Sequence, residues 1–156
     1  MHRFAQEKVE KWIAARRRKP LIVRGARQVG KTWLVEHAAA TKFETTVKID
    51  LEKRRDLHVD FGGNLDPKVI VQHLEVASGK RIVPGKTLLF LDEIQACPRA
   101  IMALRYFHEQ MPDLHVIAAG SLLEFALGEV SVPVGRVQYL HLYPMTFREY
   151  LLGIGN

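Results

Sequence analysis

The chain has 156 residues, of which 47% are hydrophobic, and its formal net charge at pH 7 is +6. This length and apolar content suit one domain with a single substantial core and exclude a disordered chain. The one cysteine excludes an internal disulfide, and the sequence has neither a signal-type apolar segment nor a run of membrane-spanning length, so a soluble, cytoplasmic protein is predicted.

The first predicted element is an amphipathic helix over residues 5–18. Its apolar positions, Val9, Trp12 and Ile13, share one helical face. Pro20 ends it, because proline disfavours helical backbone at the residue before it.

A basic cluster, R-R-R-K at residues 16–19, follows the apolar face of this helix. Residues 1–60 hold 15 Lys and Arg against 8 Asp and Glu, whereas residues 61–156 hold 8 against 9, so the positive excess is N-terminal. Cations suit the negative end of a helix, and a basic cluster also suits nucleic acid or an acidic partner. No interleaved aromatic residues support a nucleic-acid surface.

The most specific motif is G-A-R-Q-V-G-K-T at residues 25–32, a complete phosphate-binding loop. It lies between a predicted strand, residues 21–24, and a predicted helix, residues 31–40. Such a loop wraps polyphosphate with backbone N–H groups, and side chains at Gly25 and Gly30 would obstruct the close approach.

Two side chains at the end of the loop are expected to contact the phosphates and the metal. Lys31 is placed to reach the β- and γ-phosphates, and the Thr32 hydroxyl is placed to ligate a bridging Mg²⁺. The predicted ligands are therefore ATP and Mg²⁺. The residues expected to bind the nucleotide are Gly25, Ala26, Arg27, Gln28, Val29, Gly30, Lys31, Thr32 and Trp33.

Two further elements precede the next motif. Residues 45–51 alternate polar and apolar side chains, which predicts a strand near an edge of the sheet. A helix is predicted over residues 67–78, with Asp66 as N-cap, Pro67 at the first position and Gly79 as terminator.

The second motif is Asp92-Glu93, which follows an apolar strand at residues 87–91. Two carboxylates at the end of a buried strand are costly to desolvate unless they face a cation or take part in chemistry. Asp92 is expected to support the Mg²⁺ and Glu93 to polarise an attacking water as general base. An exposed turn is the structural alternative.

The next helix is predicted over residues 98–111 and the next strand over residues 114–119. Ser121 follows that strand at the edge where open α/β sheets bind ligands, so its hydroxyl is a candidate γ-phosphate contact. Ser121 also suits the N-cap of a helix over residues 122–127, with Glu124 completing a capping box.

Arg136 precedes the last predicted strand, residues 137–142, and is a candidate to stabilise transition-state charge from its own subunit or a neighbour. A surface ion pair is an equal alternative, and Arg99 is a weaker candidate for the same task. Thr146 and Glu149 form a capping box that begins a final helix.

Strands separated by helical runs predict an α/β fold with a parallel sheet and helices on both faces. The motifs R-G-A-R-Q-V-G-K-T, L-D-E-I-Q, A-G-S, G-R and L-Y-P-M-T-F-R-E-Y together resemble the AAA+-like P-loop ATPase domain of the prokaryotic predicted ATP-binding proteins. The resemblance covers nearly the whole chain.

The resemblance implies a P-loop NTPase fold with strand order 5-1-4-3-2, ATP and Mg²⁺ as ligands, and a sensor role for Ser121. It also implies that residues 1–156 form one ATPase domain, opened by an N-terminal helix within residues 1–19. Relatives of this kind continue into a C-terminal domain, so this chain is expected to be a truncated form.

The predicted function is an ATP-hydrolysing module that drives a conformational change in a protein partner or a missing C-terminal domain. A nucleotide-dependent switch with negligible turnover is the first alternative, and a kinase is the second. A nucleic-acid-associated ATPase and a homo-oligomer also stay open.

Overall fold

A five-stranded parallel sheet forms the centre of the computed structural model, which describes residues 3–121, 123, 126, 128 and 133–155. The strands are β1 (Leu21–Arg24), β2 (Thr45–Asp50), β3 (Thr87–Asp92), β4 (His115–Gly120) and β5 (Gln138–His141). Their spatial order is β2-β3-β4-β1-β5, and every pair is parallel. Counted from β5, this is 5-1-4-3-2, so the predicted order, and β2 as an edge strand, are confirmed.

Helices cover both faces of this sheet. They are α1 (Ala5–Ala14), α2 (Lys31–Ala39), α3 (Pro67–Ser78), α4 (Pro98–Gln110) and α5 (Phe147–Gly153), with short 3₁₀ helices at Arg55–Phe61 and Ile94–Ala96. Alternate residues of β3 and β4 belong to two different hydrophobic clusters. Leu89 and Val116 pack with α3 and α4, whereas Phe90 and Ile117 pack with α1 and α2. The strand period of two therefore builds two cores, one on each face.

The predicted helix ends of α3 and α5 are confirmed. The side chain of Asp66 accepts a hydrogen bond from the backbone N–H of Lys68, and Gly79 ends α3 with a φ of 68°. Thr146 and Glu149 form the reciprocal capping box that begins α5. Local side-chain chemistry specifies these boundaries, because it satisfies N–H groups that the helix leaves unpaired.

The predicted extent of the first helix is wrong: α1 ends at Ala14 rather than residue 18, and Ala15 is extended with a ψ of 136°. The indole N–H of Trp12 donates to the Lys19 carbonyl at 2.7 Å, and an Arg18 guanidinium N–H donates to the Ala15 carbonyl at 2.8 Å. These contacts fold the chain back toward β1, and Arg18 also bonds to the Asp113 carbonyl and to His115. Tertiary contacts therefore override the helix propensity of the alanines and arginines. The basic cluster consequently lies in a connection rather than in a helix.

The predicted helix over residues 122–127 falls mostly outside the described residues, and so does Glu124. The short 3₁₀ helix that links β2 to α3 was not predicted. Within the described part of the chain, no helix combines the length and apolar character needed to cross a membrane.

Candidate functional site

The carboxyl ends of β1, β3 and β4 meet at one edge of the sheet because the three strands are parallel. The loop at residues 25–30 follows β1, Asp92 ends β3, and Ser121 follows β4. All the predicted phosphate, metal and catalytic positions except Arg136 therefore lie at this edge, where open α/β sheets bind ligands.

Glycine is required at both ends of the loop, for two different reasons. A Cβ on Gly25 would collide with the backbone carbonyl of Leu142, the residue after β5. Gly30 has a φ of 95° and is the N-cap of α2, so its backbone adopts a conformation that side chains disfavour. Gln28 also has a positive φ, 61°, within the same turn. The loop thus presents its backbone at the N-terminus of α2, where anions bind.

Lys31 folds back across the loop. Its Nζ donates to the carbonyls of Gly25 and Ala26 at 3.0 and 2.6 Å, and the residue is only 6% exposed. Burial lowers the pKa of this amine, and the charges of Glu93 and Asp92 oppose that effect. The cation is therefore held across the loop by two carbonyls, within the field of the two carboxylates.

Thr32 and Asp92 are brought into direct contact. The Thr32 hydroxyl donates to Oδ2 of Asp92 at 2.8 Å, and Asp92 is 4% exposed. Burial raises the pKa of Asp92, although the hydrogen bond from Thr32 acts in the opposite direction. Lys48 of the edge strand β2 lies 3.8 Å from the same carboxylate oxygen. Two hard oxygen donors side by side, one of them a buried carboxylate, suit Mg²⁺.

Glu93 has an unusual backbone, with a φ of 51° that few residues other than glycine adopt. This turn directs the chain out of β3 immediately after Asp92. The carboxylate of Glu93 accepts a hydrogen bond from the side-chain amide of Gln95 at 2.5 Å. Gln95 was not singled out in the sequence, because only the tight turn after β3 brings an i+2 amide onto the carboxylate.

Gln95 also contacts the end of β4. A Cβ on Gly120 would collide with Oε1 of Gln95, so the glycine makes room for the amide. Ser121 is 1% exposed, and neither its Oγ nor Oε1 of Gln95 has a hydrogen-bond partner among the described residues. Two buried polar atoms at the predicted site are thus left without a hydrogen bond to any described residue, which is uncommon away from functional positions.

Arg3 is a further residue that sequence reasoning missed. It is 3% exposed, and its guanidinium donates to Glu149 of α5, to the Val29 carbonyl in the loop and to the Tyr143 carbonyl. These contacts join the N-terminal segment, the phosphate loop and the C-terminal helix. No local sequence signal identifies Arg3, since its partners lie 26 to 146 residues away.

The two arginine candidates bond to other groups of the protein. Arg136 precedes β5, at the amino edge of the sheet, and pairs with Glu109 at 3.2 Å. Arg99 donates to the carbonyls of Phe61 and Gly63. Neither guanidinium is brought to Lys31 within this chain, so a role for Arg136 across a subunit boundary stays a prediction.

The remaining loop residues have ordinary surroundings. Arg27 lies 3.6 Å from Glu52, and both side chains are exposed. The ring of Trp33 stacks on that of His37, with the ring centroids 4.5 Å apart.

Comparison with known proteins identifies the family of the chain. A family model described as "AAA domain" matches residues 17–151, which is most of the chain. An uncharacterized protein of Methanocaldococcus jannaschii is 28% identical over 150 residues, a match that covers 94% of this chain and 30% of that protein. The chain therefore spans less than a third of the length of this relative.

Proposed function

Since the chain belongs to the AAA domain family, whose members are nucleotide-binding domains of ATPase type, we propose that it binds Mg-ATP and hydrolyses it at the carboxyl edge of its sheet. The observation that carries this proposal is the 2.8 Å contact between Thr32 and Asp92, with Glu93 following at once in the chain. A metal-binding pair and a carboxylate base at one edge of the sheet are what hydrolysis of a triphosphate requires.

The groups of the site are proposed to bind different parts of Mg-ATP. The backbone N–H groups at the N-terminus of α2 bind the phosphate oxygens, and Lys31 exchanges its two carbonyl contacts for the β- and γ-phosphates. Thr32 and Asp92 would hold Mg²⁺, which supplies charge neutralisation between the phosphates when it is bound. Lys48 stays near enough to Asp92 to balance its charge.

Glu93 acts as the general base in this proposal. Its carboxylate accepts a proton from the attacking water while the oxygen of that water forms a bond to the γ-phosphorus and the bond to the β-phosphate oxygen breaks. Gln95 orients the carboxylate through its amide hydrogen bond. Ser121 Oγ, which has no partner within the described residues, is available to donate to a γ-phosphate oxygen.

A cavity of about 200 Å³ beside the loop is proposed for the base of the nucleotide. It lies between the N-terminal segment and the end of β5, and Phe4, His141 and Tyr143 contribute aromatic rings to its wall. The rings of His141 and Tyr143 are stacked, with centroids 4.4 Å apart. Arg3 ties this wall to the loop carbonyl of Val29, so a bound base and its phosphates would be held by one connected unit.

The output of hydrolysis is proposed to be a conformational change in a protein partner or in further polypeptide. The length of the archaeal relative supports this proposal, because that protein is more than three times as long as its matched part. Ordering of the N-terminal segment against the loop through Arg3 offers a physical connection between nucleotide and surface.

The test is steady-state phosphate release from Mg-ATP, with nucleotide affinity measured separately by calorimetry. Lys31→Ala is expected to lose both affinity and turnover. Glu93→Gln is expected to keep affinity and to lose turnover by about a hundredfold or more, the usual contribution of a general base. Lys42→Ala and Glu44→Gln, at exposed positions, serve as matched controls. Tight binding with no turnover in the unaltered chain would reject the hydrolase and favour a nucleotide-dependent switch.

A further inference from the structure

A second polar cavity lies at the amino edge of the sheet, on the side away from the phosphate loop. Its volume is about 340 Å³. It is lined by Arg16, Arg17, Arg18, Lys19, His108, Pro112 and Asp113. Four of these seven residues are permanent cations, and Asp113 is the one acidic residue among them.

Arg18 builds the wall of this cavity. Its guanidinium donates to the Ala15 carbonyl at 2.8 Å, to the Asp113 carbonyl at 3.0 Å and to Nδ1 of His115 at 3.0 Å. These bonds fix the connection between α1 and β1 against the start of β4. Arg18 therefore has a structural role, and its charge also contributes to the positive potential inside the cavity.

The other three cations are available. Arg16 and Arg17 are exposed, Lys19 is half-buried, and no ion pair of their side chains with a described residue is seen. Nδ1 of His108 and Nε of Arg18 are buried there without hydrogen-bond partners among the described residues. Like charges gathered around a concave surface raise the local potential and attract an anion.

We propose that this cavity is a binding site for phosphate groups, separate from the nucleotide site. Two neighbouring guanidiniums offer the paired N–H donors that match phosphate oxygens. The three cations that have no ion pair with a described residue exceed the charge that a single carboxylate neutralises. The lining has no Phe, Tyr or Trp ring on which a nucleobase could stack, and its one ring is the imidazole of His108, whose Nδ1 is buried. The contact is therefore with phosphate oxygens, whether these belong to the backbone of a nucleic acid or to a free phosphate.

The two phosphate sites are far apart. Lys19 precedes β1 and Gly25 follows it, and six residues of extended strand span roughly 20 Å. A ligand in the basic cavity thus leaves the loop free, and this inference stands or falls independently of ATP hydrolysis.

The test uses a fluorescein-labelled 20-nucleotide single strand and the matching duplex, with binding followed by polarisation at several salt concentrations. The variant Arg16→Gln/Arg17→Gln/Lys19→Gln leaves Arg18 in place. The control Lys42→Gln/Arg55→Gln/Lys68→Gln removes the same charge from exposed positions outside the cavity. The cavity variant is expected to bind at least tenfold more weakly and to show a log–log salt slope smaller by about two to three, because each phosphate contact releases a counterion.

A second arm identifies the source of the phosphate. Inorganic phosphate should displace the labelled strand more effectively than chloride at equal ionic strength, and Lys31→Ala should leave binding of the strand unchanged. If no strand binds, inorganic phosphate should still raise the melting temperature of Lys31→Ala, and this shift should vanish when the cavity substitutions are added, which assigns the site to free phosphate.

Three results would overturn the proposal. They are equal weakening by the cavity and control variants, stronger displacement of the strand by poly-glutamate than by phosphate of equal charge, and the absence of both strand binding and a phosphate-dependent shift. Hydrolysis of ATP by the cavity variant is expected to match that of the unaltered chain.

Discussion

The side-chain amide of Gln95 donates to the carboxylate of Glu93 at 2.5 Å, while Glu93 itself adopts a φ of 51°. The two residues are held in this relation by the turn that ends β3, and Gln95 in turn lies against Gly120 at the end of β4. Gln95 thus orients the proposed base, Glu93, and is itself in contact with the end of β4. A hydrogen bond to a charged group contributes about 1.5–3 kcal/mol, enough to fix one rotamer.

Gln95→Ala is expected to lower kcat about tenfold and to leave KM for ATP within twofold. The reason is that the substitution frees the carboxylate of Glu93 without touching the loop that binds phosphate, and a tenfold effect corresponds to about 1.4 kcal/mol of barrier. Steady-state phosphate release over a range of ATP concentrations separates the two constants.

The matched control is Gln72→Ala, an exposed glutamine of α3 that lies outside the site. Gln95→Asn should recover less activity than the native glutamine, because the shorter side chain brings its amide short of the carboxylate. Faster turnover in Gln95→Ala would show instead that the amide restrains Glu93 away from the attacking water.

Gly120→Ala tests the same relationship from the other strand. The added methyl group would displace Oε1 of Gln95, the end of a flexible side chain, so the melting temperature should fall by only a few degrees. Turnover should nevertheless drop about as far as in Gln95→Ala. Gly63→Ala is the control, since a Cβ there meets nothing within 4 Å. Normal turnover in Gly120→Ala would mean that the position of Gln95 is unimportant.

The sequence predicted the sheet well because its strands are specified locally. The apolar runs of β3 and β4 are fully buried on both faces, which a sequence displays as continuous hydrophobic residues. Asp66, Gly79 and Thr146 set helix ends through their own side chains or backbone. The strand order came from resemblance to a family, since no periodicity encodes which strands pair.

The parts that the sequence did not reveal depend on long-range contacts. The chain after α1 is held by bonds from Arg18 to the Asp113 carbonyl and to His115, 95 and 97 residues away, and the importance of Arg3 arises from partners distant in the chain. Gln95 is near Glu93 in sequence, yet its role depends on a positive φ that is unusual for glutamate. Arg136 was a candidate because of its charge, but its place at the amino edge follows from the direction of β5.

Glu149→Gln is expected to destabilise the fold by about 3 kcal/mol, because it leaves the buried Arg3 guanidinium without a counter-charge. Urea titration at pH 7 measures this directly, with the exposed Glu7→Gln as control. Nucleotide affinity should fall as well, since Arg3 also braces the loop through the Val29 carbonyl. A loss below 1 kcal/mol would show that Arg3 finds another partner.

Glu149→Gln is also expected to change how the free energy of unfolding depends on pH in the acid range. Burial by itself raises the pKa of Glu149, but backbone N–H groups of Thr146 and Phe4 and the charge of Arg3 outweigh it, so the pKa lies below the usual 4.5. Its stabilising contribution is therefore complete above about pH 4.5 and is lost as the pH falls through the lowered value. Below that range, the native chain and Glu149→Gln should converge in unfolding free energy.

His115 is expected to make the free energy of unfolding depend on pH just below neutrality. Arg18 can only donate, so Nδ1 of His115 accepts from it at 3.0 Å, and Nε2–H donates to the Ile13 carbonyl at 3.0 Å. Burial lowers the pKa of the ring, the bond to Ile13 opposes this, and the charge of Arg18 adds to the lowering. Trp12 and Phe43 present their rings to the imidazole edgewise, at centroid distances of 5.6 and 4.8 Å. The folded state consequently prefers neutral imidazole.

Acid is expected to destabilise the fold, because the unfolded chain binds a proton on His115 more readily than the folded chain does. The unfolded chain takes up a proton on His115 near pH 6.5, whereas the folded chain resists it until its lowered pKa is reached. Stability from neutral His115 is complete above pH 6.5 and declines below it, by up to about 1.4 kcal/mol per pH unit. His115→Gln, which retains an acceptor for Arg18 and a donor for Ile13, should flatten this slope in urea titrations between pH 7 and pH 5. An identical slope in the native chain and His115→Gln would show that the buried ring is protonated as readily as in the unfolded chain.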